Sequence, residues 1–310
     1  MACPRFLVFL TCLALLTGVR ASADTLQDPP DAATEASGGR LRQLAPGVLT
    51  VVEPNNNVAD TVSRHDLVEI LAADPTFGER AKSAGSSPAK EAVFRHEIWG
   101  LEFAFKPLRL IQVSVPNDDG ELVTKNVWYL VYRVKNTGYR MKPAIKEAGG
   151  FDGVVEMAEN PQPVDFVPQF FLESPEFNKV YPDRILPLAI DAIQKREDPN
   201  RRFFDTVDVA GEIPVGKSIW GVATWEDIDP RIDRMHVYVG GLTNAYRWVD
   251  PKDQGGKYLY RAGESLGAHR QLAKKMLQLN FWRPGDEYLE HEGEIRLGAP
   301  DEVDYAWAYR

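Results

Sequence analysis

Two stretches of this chain carry residue types whose spacing could do chemistry. Gly263-Glu264-Ser265-Leu266-Gly267 matches the Gly-x-Ser-x-Gly pattern of a nucleophile elbow, where flanking glycines permit the strained turn that exposes a serine. An acid and a histidine must follow that serine, and Asp286 and His291 lie close together in the short stretch that remains. The elbow also sits on a parallel sheet, and the chain lacks the strand–helix alternation that builds one. A loop is therefore expected, and no catalytic residue is assigned. The second stretch, Trp225 to Asp233, holds the carboxylates Glu226, Asp227, Asp229 and Asp233. Their oxygens are hard ligands of the kind Ca²⁺ takes, so these four are the metal candidates. The glycine and the distal bidentate Glu of an EF-hand are missing. The competing expectation is a turn whose Asp side chains cap backbone N–H groups and pair with Arg231 or Arg234.

The other chemistries are thinner. His65, His96, His236, His269 and His291 are scattered singly, without the close pairs of a zinc site. Glu287, Glu290, Glu292 and Glu294 could supply the paired carboxylates of glycoside hydrolysis, but such a run reads first as a solvated face. Aromatic residues crowd the last quarter, among them Tyr246, Trp248, Tyr258 and Tyr260. Trp282, Tyr288, Trp307 and Tyr309 are taken as a candidate binding surface, because exposed rings stack on sugar faces while neighbouring polar groups take the hydroxyls. The alternation of Tyr305, Trp307 and Tyr309 argues instead for a strand that lays one aromatic face on the core. No motif calls for a cofactor.

The elements that must position these residues are mostly strands. Val127 to Val134 is a continuous strand-forming run closed by Asn136-Thr137-Gly138. Alternation puts Trp128, Leu130, Tyr132 and Val134 on one face and Val127, Tyr129, Val131 and Arg133 on the other. A strand this apolar on both faces belongs in the middle of a sheet. Trp99, Leu101, Phe103 and Phe105 share a face, as do Leu277, Leu279 and Phe281. The cluster Pro116 to Gly120 predicts a hairpin turn. Gly149 to Pro163 reads as loop, Val207 to Ile213 as strand, and Ser218 to Trp225 as a second central strand. Helices are expected in two places: after Ser63, with Leu67, Ile70 and Leu71 as its apolar stripe, and over Leu186 to Asp198.

The chain has 310 residues and a formal net charge of −9. Residues 1–23 read as a secretory signal peptide: Arg5 in the n-region, an apolar run from Phe6 to Leu16, and the small-x-small pattern Ala21-Ser22-Ala23. The apolar run falls short of the roughly 20 residues a bilayer span needs, so no transmembrane segment is expected after cleavage. Both cysteines, Cys3 and Cys12, would leave with the signal, giving an acidic, cysteine-free mature chain that depends on its core rather than on disulfides. The acidic balance argues against nucleic acid as a partner. The expected location is secreted, periplasmic or cell-envelope.

Beyond the signal, 24–47 reads as a flexible lead-in and 48–92 as an extension of short strand, helix and loop. Residues 93–310 read as a β-sandwich domain with a C-terminal strand extension. Val134-Lys135-Asn136-Thr137-Gly138 and Pro214-Val215-Gly216-Lys217, the latter feeding Trp220-Gly221-Val222, resemble the turns that close and open strands in immunoglobulin-like domains of exported bacterial envelope proteins. With Trp225 to Arg231 and Asn280 to Asp286, the chain is similar to uncharacterised secreted planctomycete-type bacterial proteins. The resemblance implies a mainly β fold, an antiparallel immunoglobulin-like β-sandwich with two short helices, one in a long crossover; it implies no activity. The expected function is a non-enzymatic envelope protein with a structural or interaction role, its partner a protein or glycan of the envelope. The alternatives are an envelope hydrolase and a calcium-dependent glycan-binding module.

Overall fold

The computed structural model describes residues 49–63, 94–116, 119–145, 151–157, 162–249, 251–256, 264, 268–284 and 295–310. The signal and lead-in, the helix expected after Ser63, Tyr258 and Tyr260, Ser265, and the segment carrying Asp286, Tyr288 and His291 lie outside the described residues.

In chain order the elements are β1 (Thr50–Val52), a 3-10 turn (Val58–Thr61), β2 (Val62–Ser63), β3 (Phe94–Arg95), β4 (Ile98–Trp99), β5 (Glu102–Phe105), β6 (Arg109–Pro116) and β7 (Leu122–Lys135). There follow β8 (Tyr139–Ile145), β9 (Phe151–Met157), β10 (Val164–Phe166), β11 (Gln169–Ser174), β12 (Lys179–Pro182) and the helix α1 (Pro187–Glu197). The chain continues through β13 (Gly211–Ile213), β14 (Ser218–Trp225), β15 (Arg234–Gly240), β16 (Tyr246–Val249), β17 (Gln271–Trp282), β18 (Arg296–Leu297) and β19 (Tyr305–Tyr309).

The fold is mainly β and its named strand pairs are antiparallel. β7 is flanked by β5 and β6 on one side and β14 on the other, with β1 beyond β5. A second large sheet runs β12-β11-β15-β17, where β17 also takes β16, β18 and β19. Strand pleat sends alternate side chains to opposite faces, and β7 uses both. Trp128, Leu130, Tyr132 and Val134 enter a core shared with Phe170 and Leu172 of β11, Val237 of β15 and Leu277, Leu279 and Phe281 of β17. The two sheets therefore face one another, with Tyr132 and Phe170 ring centroids 4.7 Å apart and Phe105 and Phe281 6.1 Å apart. The opposite face of β7, Val127, Tyr129 and Val131, is covered by Ala189 and Ile193 of α1 with Phe203.

α1 lies between β12 of one sheet and β14 of the other, with Pro187 in its first turn. Proline is tolerated there because its missing N–H would have no intrahelical partner. At its end Glu197 is buried against β6 and β7, accepting from Lys106 Nζ at 2.9 Å, Arg109 Nη1 at 2.8 Å and Tyr129 OH at 2.7 Å.

Three expectations need correction. Gly149 to Pro163 is not all loop, because β9 within it pairs along the whole of β8. The hairpin supplies backbone partners that residue type alone does not announce. Val207 to Ile213 is a strand only from Gly211, and Val207 is exposed. Ser218 to Trp225 is a strand but not a central one: β14 ends the path of its sheet, and a single bridge from Phe204 to Gly221 lies on its outer edge. Its apolar character comes from layers above and below it. Ala223 and Trp225 enter the core between the sheets, and Val222 packs beneath α1.

Candidate functional site

The acidic stretch after β14 distributes its carboxylates among separate cations. Glu226 accepts from Lys125 Nζ at 3.1 Å and Arg184 Nε at 3.4 Å. Asp227 is exposed, 3.7 Å from Lys125 Nζ. Asp229 receives Arg231 Nη2 at 2.9 Å, Arg231 Nε at 3.0 Å and the Arg231 backbone N–H at 3.1 Å. The Arg231 side-chain bonds, then that backbone bond, hold its carboxyl well below the usual carboxylate range against the opposing effect of desolvation. The Asp233 N–H donates to Glu176 Oε2 at 3.0 Å. This is the chemistry of a capped, ion-paired turn. Among the described residues no group of three or more His, Cys, Asp or Glu side chains is placed to hold a metal ion.

Of the aromatic candidates, Trp282 is half-buried at the end of β17, and Trp307 packs against the core between the sheets. Tyr309 belongs to a buried polar cluster described below. Tyr288 lies outside the described residues.

A concave surface forms beside them. β15 leaves β17 at Gly240, and the chain bulges through Gly241 to Ala245 before β16 rejoins the same strand. Gly241 has φ +86°, and a Cβ there would sit 2.4 Å from the Val167 carbonyl oxygen, so only glycine fits this corner. The bulge is pinned to the segment around β4. Asn244 Oδ1 accepts from the Trp99 N–H at 2.9 Å, Thr243 Oγ1 donates to the Trp99 carbonyl at 2.8 Å, and Asn244 Nδ2 donates to the Glu97 carbonyl at 3.1 Å.

Between the bulge, β4 and the β10–β11 corner lies a cleft of about 370 Å³. Trp99, Tyr246 and Trp248 give it aromatic walls, and Asp165, Gln169 and Asn244 give it hydrogen-bonding groups. Tyr246 pairs with Lys274 and Trp248 with Leu272 across the β16–β17 ladder, so these four side chains share one face. The rings of Tyr246 and Trp248 meet edge to face at 6.1 Å, and His96 stacks on Tyr246 at 6.0 Å. Flat apolar walls with a few convergent polar groups suit a ligand that has both an apolar face and hydroxyls. Sequence reading singled out the aromatic crowding around Tyr246 and Trp248 but gave Trp99 only a place on a strand face. Asp165, Gln169 and Asn244 carry no local signal, because the fold of three separate segments brings them here.

The neighbouring positions of the ladder serve a different cluster. Lys275 pairs with Tyr309 across β17 and β19, and its ammonium contacts Asp60 Oδ2, from the 3-10 turn. The same oxygen accepts from Asn55 Nδ2 at 2.7 Å, while Asp60 Oδ1 accepts from Tyr309 OH at 2.5 Å. Arg247 Nη2 stands 3.6 Å from Asp60 Oδ1, and its guanidinium lies 3.9 Å over the Tyr309 ring. Burial, then the hydrogen bond to Asp60, pushes the Tyr309 phenol well above its ordinary range. Asn55 and Asp60 fall within 48–92, where the sequence suggests only an extension of short strand, helix and loop and gives no sign of this cluster.

Compared with protein-family models, with curated proteins and with solved structures, the chain finds no match.

Proposed function

We propose that this chain is an exported, non-enzymatic immunoglobulin-like β-sandwich protein that binds a glycan of the cell envelope in the cleft walled by Trp99, Tyr246 and Trp248. The observation that carries the reading is that cleft: three aromatic side chains around about 370 Å³, with the carboxylate of Asp165 and the amides of Gln169 and Asn244 at its edge. A pyranose ring offers one apolar C–H face and a belt of hydroxyls, and this set of groups complements both. Export is supported by the n-region, apolar run and Ala21-Ser22-Ala23 pattern of the first 23 residues.

The sandwich reading is supported by two sheets around one core, with α1 in the connection between them. It is supported further by the two turns that suggested it, which touch. Asn136, fully buried, accepts the Gly138 N–H on Oδ1 at 2.9 Å and donates Nδ2 to the Ile213 carbonyl at 2.8 Å. Its backbone carbonyl accepts the Gly216 N–H at 2.7 Å.

The test is titration of the purified protein with soluble fragments of envelope polysaccharide, followed by tryptophan fluorescence and calorimetry. Saturable binding is expected, weakened at least roughly tenfold by Trp99→Ala or Trp248→Ala when measured on protein that remains folded, consistent with loss of about 1.4 kcal/mol or more of contact. Saturable binding that neither substitution weakens would place the glycan elsewhere, and absence of binding across a panel of envelope polysaccharides would remove the reading.

A further inference from the structure

We propose that Lys275 and Asn55 become joined by an intramolecular amide bond, with Asp60 as the group that moves the protons. The three side chains come from segments that meet only in the folded state, Lys275 lying 215 positions from Asp60. Asn55, Asp60 and Lys275 are 2, 3 and 3% exposed, so water scarcely reaches them. Asp60 Oδ2 accepts from both Lys275 Nζ and Asn55 Nδ2. Two nitrogens that share one acceptor oxygen stand within roughly 6 Å of each other, which brings the nucleophile near the Asn55 carboxamide carbon. Asn55 Oδ1 in turn accepts the Asn57 backbone N–H at 3.3 Å, a donor placed where negative charge would develop on that oxygen. Tyr309 and Arg247 face Asp60 Oδ1 from the other side and hold the carboxylate in place.

The step balances without a cofactor. The Lys275 ammonium gives one proton to Asp60, which leaves a neutral amine beside a neutral acid and no net change in buried charge. The amine attacks Asn55 Cγ and forms the new C–N bond. Asp60 delivers its proton to Nδ2, the old C–N bond breaks, and ammonia leaves. The second amine proton passes to Asp60, which ends protonated. Asn55 is the acceptor rather than Asp60, because attack on Asp60 would need another carboxyl group to carry the protons. The contacts described for Asp60 are an amide, an amine, a phenol and a guanidinium. The bond would tie the segment after β1, in one sheet, to β17 of the other. The sequence holds no cysteine beyond Cys12, so an amide would supply the covalent link that a disulfide cannot.

Intact-mass spectrometry and protease mapping of the whole protein test the proposal. The expected result is a loss of about 17 Da and a branched peptide joining Asn55 to Lys275. Two separate peptides of unaltered mass would overturn it, and so would a loss of about 18 Da with the branch at Asp60, since that product releases water. These outcomes are read on the unsubstituted chain and need no variant to fold. For the role of Asp60, Asp60→Asn is expected to leave the peptides unlinked, with Asp60→Ser as the smaller replacement if the amide is not accommodated. A linked peptide in either variant would assign the proton transfer to another group.

Discussion

A fully buried amide that satisfies two turns at once is an uncommon commitment for one side chain, and Asn136 makes it. Its Oδ1 closes the turn onto Gly138 while its Nδ2 reaches the Ile213 carbonyl. Replacing it with Ala would strand a buried N–H and a buried carbonyl. Asn136→Ala is therefore expected to cost about 1–3 kcal/mol, read as a lower denaturation midpoint at unchanged slope. Tyr132 predicts the opposite sign. Its hydroxyl is buried with no hydrogen-bond partner among the described residues, and burial raises its pKa well above the usual phenol value. Removing an unsatisfied polar atom from a core relieves its desolvation cost. Tyr132→Phe should leave the midpoint unchanged or raise it, and a fall of more than about 1 kcal/mol would mean the hydroxyl has a partner.

At the level of elements, β7 and β14 are fitted to one another through a missing side chain. Gly221 pairs with Tyr132, and a Cβ at Gly221 would stand 2.4 Å from both Cζ and OH of that ring. The ring is held by Phe103 at 5.6 Å and Phe170 at 4.7 Å and has nowhere to move. Gly221→Ala is expected to cost at least about 1–3 kcal/mol through overpacking, measured by chemical denaturation. The sequence announced β7 correctly as central, because eight consecutive strand-forming residues are apolar on both faces. The same reasoning misplaced β14, since burial by layers above and below gives the same pattern as burial between strands. β8 and β9 were partly hidden because their pairing is written in register rather than in residue type.

For the molecule as a whole, α1 is fastened to the sheet by one charged knot, and that knot gives stability a pH dependence. Burial alone would push Glu197 up. The Tyr129 hydrogen bond, the Lys106 hydrogen bond and the charges of Arg109 and Lys106 outweigh it, leaving the carboxyl below its ordinary value. A carboxyl whose folded-state pKa is depressed contributes stability above its unfolded value, and that contribution is lost as pH falls through the folded value. Acid should therefore lower the melting temperature beginning near the ordinary Glu range. Glu197→Gln should flatten that part of the pH–melting profile, while Glu197→Ala, which leaves Lys106 and Arg109 without their acceptor, should cost about 3–5 kcal/mol. An unchanged acid limb in Glu197→Gln would assign the dependence to other carboxylates.

What the sequence by itself determined is what local pattern can encode: the mainly β character, the faces of β7, the hairpin ahead of it, and α1. It also marked Tyr246 and Trp248 as part of an aromatic surplus. Only the tertiary structure gathers those two rings with Trp99 around one cleft. The cleft requires Trp99 from β4, Asp165 and Gln169 from the β10–β11 corner, and the bulge at Gly241 to Ala245, and each of these segments is unremarkable alone. The Asn55–Asp60–Lys275 cluster likewise joins a turn near one end of the described chain to a strand near the other. Periodicity reports which face a residue takes within its own element. Which distant side chains share a volume follows from strand register and sheet packing, and those are properties of the whole fold.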